Sequence, residues 1–273
     1  MFETNRKRTR LQVAWAMTEL TYHSMVRAIR GGSNNAVVGL LMNMLTAVML
    51  VIIFYVMNSL LGLRDGMIRG NYIVFLFTGI FLFLTHVGAV GAVMGAPSSV
   101  SAMMLHAPMN TTVAIISSAL ASLFKQLFSA IVVLFVYHVA FEPIEIFKPL
   151  PTLGAFILGW FTGCCVGMFF LALKPWIPKL IGVISQVYTR ANMIASGKMF
   201  LANMLPGYML RMFDWNPLFH CIDQTRGFAF LNYNPRYSNL EYPITIGLIL
   251  LVIGLLGEFY ARKKQSISWS ARS

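Results

Sequence analysis

Residues 36–61 read AVVGLLMNMLTAVMLVIIFYVMNSLL, and they decide which solvent this chain folds in. No Lys, Arg, Asp or Glu occurs between Arg30 and Arg64, and the next gap, Arg69 to Lys125, holds only His86 and His106. A helix crosses a bilayer with ~20 consecutive apolar residues, so each gap is long enough for at least one crossing. The whole chain agrees. It is 58% hydrophobic and 11% charged over 273 residues, with a mean hydropathy of +0.70. A soluble domain of that length needs far more charge to coat its surface. The fold class is therefore an all-α polytopic membrane protein.

Six transmembrane helices are expected, at about 36–61, 71–95, 115–141, 153–173, 180–203 and 243–260. The fifth is interrupted by Arg190 and Lys198. With both termini placed in the cytoplasm, twelve Lys and Arg fall inside, six fall outside, and Lys125, Arg190 and Lys198 lie in spans, which accounts for all 21. That is the positive-inside pattern. Without the fifth span, the Arg262-Lys263-Lys264 tail would sit on the wrong face. The net charge of +12 then reflects basic clusters that meet anionic membrane lipids, and nucleic acid is not the expected partner. The basic first thirty or so residues, broken by polar side chains, do not read as a cleavable signal peptide.

Two cytoplasmic segments do not cross. Residues 11–30 bring Leu11, Trp15, Thr18, Tyr22, Met25 and Ile29 to one helix face, which suits a helix lying in the headgroup layer or packed on a cytoplasmic partner. GGSNN at 31–35 breaks it. Residues 97–107 lie between Pro97 and Pro108 and form a short helix carrying Met103, Met104, Leu105 and His106. Adaptable methionines there suit either a partner groove or the lipid surface. Gly159, Gly163 and Gly167 repeat at four-residue spacing, and Gly88, Gly91, Ala92 and Gly95 repeat the idea, so helix backbones can approach closely.

Catalytic signatures are not found. There is no nucleotide-binding G-x-x-x-x-G-K-[ST], no H-E-x-x-H, no G-x-S-x-G and no Cys/His metal spacing. Cys164, Cys165 and Cys221 read as buried thiols. No metal and no cofactor is expected in this chain, and it is not expected to be an enzyme.

The stretch 196–228, SGKMFLANMLPGYMLRMFDWNPLFHCIDQTRGF, closes with Trp215, Asn216, Pro217, Leu218, His220, Asp223 and Arg226. This block resembles the corresponding region of type-2 ABC exporter permeases, most of all their capsular-polysaccharide and O-antigen export subfamily. Asp223 stands where that pattern more often has Glu. The resemblance implies a permease subunit in the bacterial inner membrane, moving a polysaccharide or glycolipid. Its implied partners are a second copy of itself and a nucleotide-binding ATPase subunit, which carries the ATP and Mg. Periplasmic export proteins are allowed as further partners. It also implies that 11–30 is an interface helix, that 97–107 is the coupling helix against the ATPase, and that 205–231 is a re-entrant external segment near the exit.

From the residues themselves, Asn216 can cap a helix that has Pro217 at its first position. Asp223 and Arg226, three apart, can pair. Arg190 either snorkels to the cytoplasmic edge or lines the pathway and meets an anionic group. Lys198, Tyr188, Trp160 and Tyr72 join it as candidate pathway residues, and Lys125 is expected to snorkel. The competing readings are a type-2 permease for a small lipid or drug, an ion-coupled secondary transporter, and a membrane-embedded transferase. The last would have to use His220 with Asp223.

Overall fold

The computed structural model describes residues 10–30, 35–60, 62, 71–97 and 111–270. They form nine α-helices: α1 (Arg10–Arg30), α2 (Ala36–Leu60), α3 (Tyr72–Met94), α4 (Thr111–Ala140), α5 (Pro149–Leu173), α6 (Pro178–Ala195), α7 (Gly207–Phe213), α8 (Pro217–Ala229) and α9 (Glu241–Ser270). Five have the length and apolarity to cross a membrane: Val37–Leu60, Tyr72–Met94, Thr111–Ala140, Pro149–Leu173 and Glu241–Ala261. This is an all-α polytopic membrane protein. Segment 180–203, expected as a further span, is not among the five. Its helix, α6, stops at Ala195, and polar side chains along it dilute its apolar character.

Helix starts follow local chemistry. Asn71 caps α3, its side-chain oxygen accepting from the amides of Ile73 (2.9 Å) and Val74 (3.4 Å). α5, α6 and α8 each open with Pro near the first position, where the missing N–H costs nothing. Lys side chains answer carbonyls orphaned at helix ends. Lys174 donates to Met94 O of α3 (3.2 Å), and Lys125, from within α4, donates to Ala28 O near the end of α1 (3.3 Å). Lys125 therefore reaches across to α1.

α3 and α5 form the most extensive helix contact, followed by α5 with α9. The glycines of α5 explain the first. A Cβ on Gly159 would meet Leu82 at 3.6 Å, one on Gly167 would lie 2.8 Å from Val90 O, and one on Gly163 would run into His86 O and Ala89. α3 and α5 thus run parallel, with backbones in near contact. On the other side of α5, Gly247 faces Phe161, Gly254 faces Met168 and Gly257 faces Ala172, so α9 runs parallel too. Of the α3 glycines read as a ridge, Gly91 meets nothing within 4 Å and Gly88 meets only the Gln126 side chain. The close approach on α3 belongs to Gly79 instead.

α6 runs against α3. Lys174, just before it, lies at Met94; Tyr188 lies at His86; Lys198, just after it, lies at Gly79. Met103, Met104, Leu105 and His106 lie outside the described residues, as do 31–34 of the helix break.

Gly163→Val places branched carbons against the His86 carbonyl and costs about 1–3 kcal/mol. The measurement is thermal melting of the detergent-purified protein. Its midpoint should fall by several degrees for Gly163→Val and stay close to wild type for Gly91→Ala; equal midpoints would refute the close packing.

Candidate functional site

Where α6 ends, the chain turns rather than crossing straight through. Gly197 takes φ +75°, a conformation that favours glycine, and any Cβ there would lie 2.8 Å from the Phe219 ring. The turn 197–200 leaves carbonyls with no helical partner. Arg226, on α8, supplies the donors: its guanidinium reaches Gly197 O (2.7 Å), Phe200 O (2.6 Å) and Lys198 O (2.6 Å). The same plane lies over the Phe75 ring at 4.0 Å. Gly79 makes this possible, since a Cβ there would lie 2.8 Å from both the guanidinium and the Lys198 backbone. Arg226 is 1% exposed.

The expected Asp223–Arg226 ion pair is not formed. Asp223 accepts from the hydroxyls of Tyr233 and Ser238 (2.7 Å to Ser238) while Arg226 points at carbonyls. Spacing put the two on one helix face, but groups from distant segments claimed each. Burial, and then the Asp223 carboxylate, hold the Tyr233 hydroxyl above its ordinary pKa, so it stays a donor. Asn216 caps α8 as expected, accepting from Leu218 N (3.1 Å), with Pro217 at the first position.

Lys198 is fully buried, and its ammonium nitrogen has no hydrogen-bond partner among the described residues. Nζ lies 3.6 Å from the Phe83 ring centre and 5.1 Å from that of Phe54. A desolvated cation–π contact returns about 2 kcal/mol or more, set against the several kcal/mol that burial of one charge costs, so the site is expected to be a net burden on stability.

A second network was not legible in the sequence. His86, in α3, holds its Nδ1 3.1 Å from Gly159 O, which can only accept, so Nδ1 carries the proton. Nε2 then accepts from the Tyr188 hydroxyl (2.8 Å). Asn192 donates to Tyr188 O (3.0 Å), and Asn216 donates to Asn192 Oδ1 (2.9 Å) and Ala195 O (3.1 Å). The chain of bonds ties α3, α5, α6 and α8 together. His220 acts locally: Nε2 donates to Asp214 O (2.6 Å), Nδ1 accepts from Asn239 N (3.2 Å), and the ring lies 4.8 Å from Tyr242. Trp215 is exposed and its indole donates to Met212 O.

The remaining pathway candidates are not brought together. Trp160 is wedged against α4, donating to Ala119 O (3.0 Å). Tyr72 accepts from Asn58 (2.6 Å) and stacks on Phe75. Tyr188 faces inward to His86, while Arg190 is exposed on the far side of α6. Depth follows from helix rise. His86 is eight residues, ~12 Å, from the Met94 end of α3, so Arg190, two residues past Tyr188, lies ~15 Å from that end. α3 has 23 residues, so Arg190 lies level with the middle of α3. Gln186 and Lys179 are also exposed, four and eleven residues earlier on the same side.

Compared with models of known protein families and with curated proteins, the chain matches none of them.

Lys198→Met keeps the stem and removes the unpaired charge, and it is expected to raise stability by about 1 kcal/mol or more. Arg226→Ala strands the Lys198 and Phe200 carbonyls and leaves Gly197 O only its long bond from Phe200 N (3.4 Å), and should cost about 3 kcal/mol or more, with Arg226→Lys recovering only part because one ammonium cannot fork. Melting curves in detergent decide both signs. A destabilised Lys198→Met protein would contradict the first, and an unaffected Arg226→Ala protein the second.

Proposed function

We propose that this chain is the permease subunit of an ATP-driven exporter, moving a polysaccharide or lipid-linked polysaccharide across the bacterial inner membrane. The observation that carries the reading is the exposed line Lys179, Gln186 and Arg190 on α6, which ends at Arg190 level with the middle of α3. A charged side chain facing acyl chains costs several kcal/mol, so this side of the helix faces water or a partner in the working assembly. Two copies set together would enclose such a stripe and make it the wall of a conduit. The opposite side of α6 is bound to the bundle through Tyr188 and Asn192.

The substrate class and the energy source rest on the resemblance of 196–228 to capsular-polysaccharide export permeases. In that reading segment 180–203 is the fifth of six crossings, both termini are cytoplasmic, α1 is the interface helix, and 97–107 couples to a separate ATPase subunit holding ATP and Mg. α7 and α8 form the re-entrant exit segment. The burial of α8 supports this: most of its residues, including His220, Asp223 and Arg226, are buried, as broken backbone at membrane depth requires. A permease for a small lipid or drug shares all of this except the cargo. An ion-coupled carrier would need an acidic group free within the bundle, and Asp223 is already engaged by Tyr233 and Ser238. A transferase needs His220 and Asp223 to cooperate, and each serves other partners.

Arg190→Ala should abolish export while leaving assembly with the ATPase intact. The check is polymer at the cell surface alongside co-purification of the two subunits. Normal surface polymer from the variant would overturn the role of Arg190.

A further inference from the structure

Between Glu145 and Asp214 the sequence carries six cations, Lys148, Lys174, Lys179, Arg190, Lys198 and Arg211, and no Asp or Glu. Over the described residues, Lys174 is answered by a backbone carbonyl and Lys198 by aromatic rings. Lys179 and Arg190 are left exposed on α6. With Gln186 they form one line: steps of seven and four residues return to the same side of a helix, covering ~16 Å along its axis. It lies opposite Ile181, Ser185, Tyr188 and Asn192, which hold α6 to the bundle.

We propose that this line is a binding track for acidic groups, carboxylate or phosphate, on the transported molecule. The inference rests on the permease reading and names the chemistry its cargo must carry. Of the described carboxylates, Glu19 lies on α1 and Glu142 and Glu145 lie between α4 and α5. Asp223 is buried and engaged, Glu241 opens α9, and Glu258 already has a partner near the other end of the spanning part of that helix. Asp214 is exposed just before Asn216, which bonds the Ala195 end of α6 beyond the line. None of them lies on the line itself, and acyl chains cannot cover Arg190. The guanidinium fork matches a carboxylate or a phosphate in two-point fashion. Lys179 adds a point charge nearer the Met94 end, and the Gln186 amide donates between them. Spacing the cations along the helix lets a repeating polyanion hold one while reaching for the next, without either contact becoming a trap.

The test uses the full chain in phosphatidylcholine nanodiscs, with fluorescent hyaluronan, dextran of matched length, and dihexanoyl phosphatidic acid as competitor, read by fluorescence anisotropy. Hyaluronan should bind with an affinity that falls as salt rises. Lys179→Gln with Arg190→Gln should weaken it at least tenfold. Both positions are exposed, and an unchanged size-exclusion profile would confirm that the variant folds. Neutralising Arg262, Lys263 and Lys264 controls for the basic tail and should leave the track's contribution in place. Hyaluronan binding assigns the acidic groups to the polymer itself. Binding of a fluorescent phosphatidic acid, displaced by unlabelled dihexanoyl phosphatidic acid and lost in the double variant, without hyaluronan binding, assigns them to a lipid phosphate; either outcome upholds the track. Equal binding of hyaluronan and dextran, or no effect of the double variant, overturns the track and leaves a polymer permease standing. Binding of none of the three probes overturns both.

Discussion

The half of this fold where α3 begins depends on how backbone carbonyls are satisfied where α6 ends. No water at membrane depth can accept the task, and each unmet carbonyl costs on the order of 1–3 kcal/mol. One guanidinium donates to three, at Gly197, Lys198 and Phe200, and only Gly197 O has a further, long bond, from Phe200 N. Because that guanidinium comes from α8, the turn and the helix cannot be placed independently. Gly79 on α3 and Gly197 in the turn are the two positions where any side chain would separate the pieces. Asn216 then fixes the start of α8 against Asn192, and the chain folds back among the long helices rather than looping outside them.

The long helices solve an easier problem. α3, α5 and α9 satisfy their own backbones and need only to pack, which the glycines of α5 and α9 allow. α6 is different in kind, carrying polar groups on two opposite sides. One side hydrogen-bonds to His86 and Asn216, and the other presents Lys179, Gln186 and Arg190 outward among exposed Val183, Val187 and Ile194. In the proposed permease a helix so built would sit between a protein surface and an aqueous one, which is what a passive subunit driven by a neighbour would need to offer.

Much of this could be read from residues alone. Charge-free runs located α2, α3, α4, α5 and α9 because apolar length is a one-dimensional property. The cap at Asn216 and Pro217 was legible for the same reason, being a contact between near neighbours. α6 as a long apolar span was not, since Ser185, Tyr188 and Asn192 on one side and Gln186 and Arg190 on the other lower its hydropathy. The predicted Asp223–Arg226 pair failed because the carbonyls that claim Arg226 arrive from nearly thirty residues earlier, and the hydroxyls that claim Asp223 from ten and fifteen residues later. No local pattern encodes those arrivals. The His86–Tyr188 bond joins residues 102 apart and lay hidden in two apolar segments.

The central claim is that the Arg190 side of α6 faces water at mid-depth in the working protein. It is tested most directly by thiol accessibility in intact membranes. Arg190→Cys and, as an exposed reference on α9 at the same level, Leu248→Cys would be made with the native cysteines replaced, then exposed to a small charged maleimide that does not partition into acyl chains. Rapid labelling at position 190 with no labelling at 248 is the predicted result. Position 190 remaining as unreactive as 248 would contradict the account.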